Sequence, residues 1–366
     1  MYKKKDITVF TVISTLCVIF IHLLSEPLKL CTDEFVLAVI FTIYKLMSFV
    51  VPGFLFISSL KYFLKNQSHK GFQYITFLKN RFVKLFIHYF IFVTIYFLYF
   101  SLLGYIIPSP INYIKGLLLG NICAHFYFMV IIFQFYLLMP LFLYYIDKLK
   151  AFYGILISAI ITISFKMLNF KNPINLVINY ILSFKDRMII SYLLFIVIGA
   201  YCGKNYNIFI LFLKNKKIIV FSIYLTTSAL HTYFSYLNFR GVKFYTAGEI
   251  IHLLFCTVSI LTLYIVSIDL SKITSVYFNK CCLVLSEHSY YIYLSHPLFI
   301  FISKEILYKY NIKRISHRLL FTSVFVIINS FLFSFIYKRI INILSGQKKY
   351  IKINEKSAVN PEKTYS

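Results

Sequence analysis

The sequence predicts an all-α, polytopic transmembrane helical bundle of about ten spans, with N- and C-termini cytoplasmic. Three observations predict it. Of 366 residues, 60% are apolar and only 14% charged, where a soluble domain carries about 25% charged residues. Apolar runs near the ~20-residue length that crosses a bilayer recur along the chain. The stretches between them are short and rich in Lys and Arg.

The first run, 7–24, follows a basic start, "MYKKKD". It imitates a secretory leader, but it contains a His and lacks a small-x-small cleavage site before Ser25. It therefore reads as an uncleaved first span. Further runs fall at 36–60, 82–107, 125–146, 151–168, 187–203, 217–237, 249–268, 282–303 and 318–344. Those at 151–168 and 187–203 are short for a span. Pro and Asn in "SPIN" at 109–112 and "NFKNPIN" at 169–175 mark loops. One membrane domain thus covers 1–346. The polar, Lys-rich segment 347–366 reads as a disordered cytoplasmic tail.

The net charge of +26 does not indicate nucleic acid, because the cations lie in short loops and no soluble basic domain exists to hold one. With the N-terminus inside, and cations at span ends counted with the adjoining segments, cytoplasmic segments carry 24 of the 38 Lys and Arg, external loops 12, and the spans two, Lys45 and Lys166. That bias fixes orientation. The external loop 304–318 disagrees. It holds Lys304, Lys309, Lys313, Arg314 and Arg318, so either a span is miscounted there or the loop binds something anionic. The seven Cys have no zinc-site or disulfide spacing. Zero Trp beside 32 Tyr and 41 Phe suggests an AT-rich, bacterial genome, hence a bacterial cell membrane.

Depth within the spans follows from the 1.5 Å rise per residue. His22 lies about 22 Å from the inner end of the first span, near the outer leaflet. His296 lies about 21 Å along the ninth, and His231 reaches a similar height in the seventh. His125, and Glu249 with His252, begin the fourth and eighth spans at that level. Glu26 follows His22 at i+4, on one helical face. Gln134, and with it His88 and Glu287, lies deeper. For His125, His231 and His252, interfacial anchoring is the favoured explanation. His22 and His296 interrupt lipid-length apolar runs, where ionisable groups read as functional. For Glu287, pairing with a Lys or with His288 competes evenly with function. "SYYIYLSHPLFIF" at 289–301 adds Pro297, which disrupts the helix and frees the Tyr293 carbonyl. Lys79, Arg81 and Lys84, in the basic loop 61–84, either surround a donor's phosphates or simply set topology, and the topology rule suffices.

Several elements, in order, resemble the membrane acyltransferase-3 family: "VIFIHLL", "VPGFLFISSLKYFL", "KNRFVK", "AHFYFMVIIFQFYLLMP", "FIVIGAYCGK" and, most specifically, "SEHSYYIYLSHP". The resemblance covers about residues 5–345. Within the family the pattern is similar to members linked to the biofilm polymer poly-β-1,6-N-acetylglucosamine, by export or by O-acylation. It implies a cytosolic acyl-CoA donor (acetyl or succinyl), no tightly bound cofactor or metal, a cell-surface glycan acceptor, and a glycan synthase as a further partner. On the chain's own residues, His22 is placed to act as the base and Glu26 to fix its tautomer. His296, Tyr293, His125, His231 and Gln134 would contact substrate, and Lys79, Arg81 and Lys84 the donor. The family carries an Arg eleven residues before the first-helix His, where this chain has Thr11. Of the family's next Arg pair, this chain keeps Arg81 but has Lys84, which retains charge without the planar fork. Thr11 leaves polymer export and a non-catalytic role in a glycan-synthesis complex as alternatives.

Overall fold

The computed structural model describes residues 4–66, 71–168, 179–180, 182–242 and 244–344. The tail expected at 347–366 lies outside the described residues. The chain opens with α1 (Lys5–Leu24), the short α2 (Pro27–Leu30), α3 (Glu34–Leu46) and α4 (Val50–Lys65). A basic segment then forms α5 (Tyr74–Arg81), a π turn at Phe82–Phe86 and α6 (Ile87–Leu102). Next come α7 (Pro110–Leu119), α8 (Tyr127–Leu137), α9 (Met139–Lys148) and α10 (Ala151–Met167). Two 3₁₀ turns lead into α11 (Leu193–Lys204) and α12 (Tyr206–Asn215). The last four helices are α13 (Lys217–Phe239), α14 (Tyr245–Ser271), α15 (Val276–Lys309) and α16 (Ile315–Leu344).

Every apolar run read from the sequence falls mainly on helical structure, with a turn at 47–49 inside the second run and non-helical chain at 103–107 closing the third. Among the described residues, six helical stretches are long and apolar enough to cross a membrane, and eight if two bent pairs each form one span. Those pairs are α8 with α9, bent by 62°, and Ile189–Lys204 with α12, bent by 102°. The expected ten spans exceed this number for physical reasons. α10 has only 17 residues. α15 has 34, but the polar groups of "SEHSYYIYLSHP" dilute its hydropathy.

α4 and α11 form the tightest pair. Gly199 and Gly203, one turn apart on α11, let the two backbones meet. A Cβ at Gly199 would lie 2.3 Å from the Phe56 carbonyl oxygen, and one at Gly203 2.5 Å from that of Leu60. This is the small-residue spacing by which membrane helices approach closely. Ser59 strengthens the seam by donating to the Ile196 carbonyl at 2.7 Å, a contact worth roughly 0.6–2 kcal/mol in lipid. Near the start of α1, Asp6 accepts from the hydroxyls of Tyr206 and Tyr264, and Phe10 packs 5.6 Å from the Tyr264 ring. α1 runs from that point between α14, α15 and α16.

The sequence predicts a helix break at Pro297. α15 instead continues through it, because both disturbed backbone rungs find other partners.

Candidate active site

Three elements bring three histidines together. α1 presents His22 just before its end. Ser25 caps that end, its hydroxyl donating to the His22 carbonyl at 2.6 Å. α15 presents His296. His125 comes from the tight connection between α7 and α8. That connection turns at Gly120, whose φ of +62° suits glycine and where a Cβ would lie 2.7 Å from the Phe126 carbonyl carbon. The ring centroids stand 5.2 Å apart for His22 and His296, 5.6 Å for His125 and His296, and 6.4 Å for His22 and His125. His125 and His296 are buried, whereas His22 is only half-buried. Tyr293 closes the group. Its hydroxyl donates to the His125 carbonyl, and its ring lies 5.2 Å from the His125 ring.

The Pro297 rungs explain how His296 is held. Pro297 has no N–H to give the Tyr293 carbonyl. His296 Nδ1 takes that place, donating to Tyr293 O at 2.8 Å and to Ile292 O at 3.1 Å. A ring that donates from Nδ1 keeps its lone pair on Nε2 when neutral. Nε2 is buried and has no protein hydrogen-bond partner. The next rung is opened by Tyr96 of α6. Its hydroxyl accepts from Leu298 N at 2.7 Å and donates to Leu294 O at 3.1 Å. A side chain inserted into the helical ladder keeps the helix continuous while distorting it. Sequence reasoning missed Tyr96, because nothing local separates it from 31 other tyrosines.

A family model described as an acyltransferase domain matches residues 5–344. The chain belongs to the acyltransferase-3 family. No curated protein and no solved structure matches it. Family membership indicates membrane acyltransferase activity, and the several long apolar helices agree with a multi-pass membrane protein.

For a member of the acyltransferase-3 family, the surroundings of Thr11 matter. Lys61 of α4 donates from Nζ to Thr11 Oγ1 at 2.9 Å. A cation thus reaches the Thr11 position from a neighbouring helix, and no feature local to Thr11 in the sequence signals it. Glu26 does not meet the expectation that it orients the His22 ring. Its carboxylate is held by Arg318, through Nε at 2.9 Å and through Nη2, and by Lys304 at 3.5 Å. α1 ends before Glu26, and the opposing cations of α15 and α16 claim the carboxylate.

The remaining expected residues divide. His231 lies apart from the trio. It pairs with Ser48 Oγ at 3.2 Å, stacks on Phe255 and faces His252 at 5.0 Å. Gln134 clamps a turn, donating to Arg187 O and accepting from Ile189 N, both at 2.8 Å. Glu287 pairs with Lys338 at 3.2 Å, as its bland explanation had it, and His88 meets the Tyr337 hydroxyl at 2.9 Å. Arg81 and Lys84 line a polar cleft of about 580 Å³ together with Lys65, Asn66, Gln73 and Asn80. Lys79 is not among its lining residues. The Arg81 guanidinium lies 5.1 Å from the Tyr136 ring and 5.5 Å from that of Phe77.

Proposed function

We propose that the protein is a membrane O-acyltransferase that moves an acetyl or succinyl group from acyl-CoA to a cell-surface glycan, with His22 as the general base. The observation that carries this reading is the trio of histidines gathered from three elements, of which His22 alone is not fully buried. The fixed tautomer of His296 and the ring of His125 form the wall behind it. In the reaction, the neutral His22 ring takes the proton of a glycan hydroxyl as that oxygen attacks the thioester carbonyl. The tetrahedral intermediate expels the CoA thiolate, which recovers the proton from His22. One C–S bond breaks and one C–O bond forms, and the products are an ester and CoA thiol.

The donor enters at the basic cleft around Arg81 and Lys84. Its acyl arm then passes the Lys61–Thr11 contact, which lies about 16 Å from His22 along α1. Glu26 acts by positioning, since its pairing with Arg318 and Lys304 fixes the end of the helix that carries His22. Ten spans, cytoplasmic termini and a bacterial cell membrane complete the reading, with poly-β-1,6-N-acetylglucosamine as the acceptor the sequence elements favour. A glycan synthase is the partner that would supply it.

A second reading, export of that polymer, draws support from the two sharply bent helix pairs, since transporters build their paths from broken helices. A gene deletion complemented with wild type or His22→Ala separates the two. Mass spectrometry of secreted glycan is expected to find normal amounts of polymer lacking acyl esters in the His22→Ala strain, with protein abundance unchanged. Polymer retained inside the cell would favour export, and full acylation would remove His22 from the reaction.

A further inference from the structure

The seam between α1, α15 and α16 carries a feature beyond the part its charged end plays in positioning His22. Its middle is a lateral cavity of about 370 Å³, lined by apolar side chains that include Leu16 and Ile19, Leu285 and Ile292, and Ile328 and Leu332. An apolar cavity of about 150 Å³ already holds a benzene molecule, so this one accommodates a length of hydrocarbon chain. The lone polar side chain in the lining, Thr15, donates back to the Thr11 carbonyl at 2.8 Å and offers a ligand nothing. Further along the same three helices the seam becomes charged. Leu23, Ile300 and Leu319 lead to Glu26, Lys304 and Arg318.

Two properties of the seam identify the occupant. The first is distance. From Ile292 to Lys304 is about 18 Å along α15, and from Ile328 to Arg318 about 15 Å along α16. One leaflet of a bilayer has a hydrocarbon depth of about 15 Å. The near edge of the cavity and the cations are therefore spaced as the tail and the headgroup of one lipid, and the rest of the cavity leaves room for the end of the chain. The second is charge. One carboxylate, Glu26, faces two cations, with Lys304 at 3.5 Å, so the cluster keeps a positive charge. The nearby acid Glu305 accepts from the Tyr105 hydroxyl at 3.2 Å, while Lys309 at the end of α15 and Lys313 and Arg314 just beyond it stand exposed. We propose that this seam binds an anionic phospholipid, with a chain in the α1/α15/α16 cavity and the headgroup on Lys304 and Arg318. The site accounts for the one loop whose charge contradicts the orientation rule. It rests on membrane placement alone and not on the assignment of His22.

The test is native mass spectrometry of the full chain released from vesicles of phosphatidylcholine with phosphatidylglycerol. Wild type is expected to retain phosphatidylglycerol in preference to phosphatidylcholine, a comparison that needs no variant. Lys304→Gln is expected to lower that retention about fivefold, the effect of one interfacial cation. Leu332→Trp, which fills the cavity from an exposed position, is expected to lower it as well, and Glu26→Gln to raise it. Glycerol phosphate, which has the headgroup without the chain, is expected not to displace the lipid. Equal retention of the two lipids, unchanged retention in both Lys304→Gln and Leu332→Trp, or displacement by glycerol phosphate would each overturn the proposal.

Discussion

Pro297, His296 and Tyr96 form one device at the residue scale. Proline removes a donor, the histidine beside it supplies the replacement, and the phenol opens the next rung. Pro297→Ala restores an N–H that competes with His296 Nδ1 for the Tyr293 carbonyl. Acyl transfer should then fall several-fold while thermal stability in detergent holds or rises, since the new rung is an ordinary helical bond. Unchanged turnover would separate the tautomer of His296 from the chemistry. Tyr96→Phe makes the converse point. The Leu298–Leu294 rung must close directly or stay unpaired, at a cost of about 1–3 kcal/mol if unpaired. Reduced transfer at unchanged abundance is expected, and full activity in Tyr96→Phe would show that the inserted hydroxyl does not set His296. The free Tyr293 carbonyl was legible from Pro297 alone. Its recipient was not, because which ring turns back onto it depends on rotamers that no local pattern encodes.

At the scale of elements, Gly199 and Gly203 decide whether α4 and α11 pack. Gly203→Leu puts a branched side chain where a Cβ alone would already stand 2.5 Å from the Leu60 oxygen. Loss of monodisperse protein by size-exclusion chromatography is expected, while Gly241→Leu, where nothing lies within 4 Å, leaves the fold intact apart from its local turn. A stable Gly203→Leu protein would deny the close approach its importance. The positions of the helices were legible, since a bilayer demands long apolar runs whatever the fold. Their bends were not. The turns at Leu138 and Asn205 depend on what neighbouring helices pack against, and hydropathy averages over them. α15 shows the opposite failure, a 34-residue helix whose polar band makes it less apolar than its neighbours. That band is where His288, Tyr293 and His296 meet other helices, so the most informative stretch for the site is the least typical for a span.

At the scale of the whole molecule, the proposed donor entrance and reaction centre lie at separate levels, joined along α1 and α4. Depth counting brought His22, His125 and His296 to one height, and the fold gathers these three. It could not say that His231 belongs to a different helix pair, because height along an axis carries no angular information. The donor cleft gives a graded prediction. Arg81→Ala and Lys84→Ala should each raise the KM for acyl-CoA about tenfold, the size of one charge-assisted hydrogen bond, with an effect that shrinks in high salt. Lys79→Ala should change it little, since Lys79 lies outside the lining. Equal effects from all three would mean that the loop acts only by its overall charge.

The most direct measurement is acyl transfer by the purified protein in proteoliposomes, following CoA thiol release and ester formation on an added β-1,6-linked N-acetylglucosamine oligomer. Wild type should produce thiol and ester in equal amounts. His22→Ala should lose at least about a hundredfold in rate, as removal of a general base does, with the protein still folded by size-exclusion chromatography. Equal rates for wild type and His22→Ala would contradict the account.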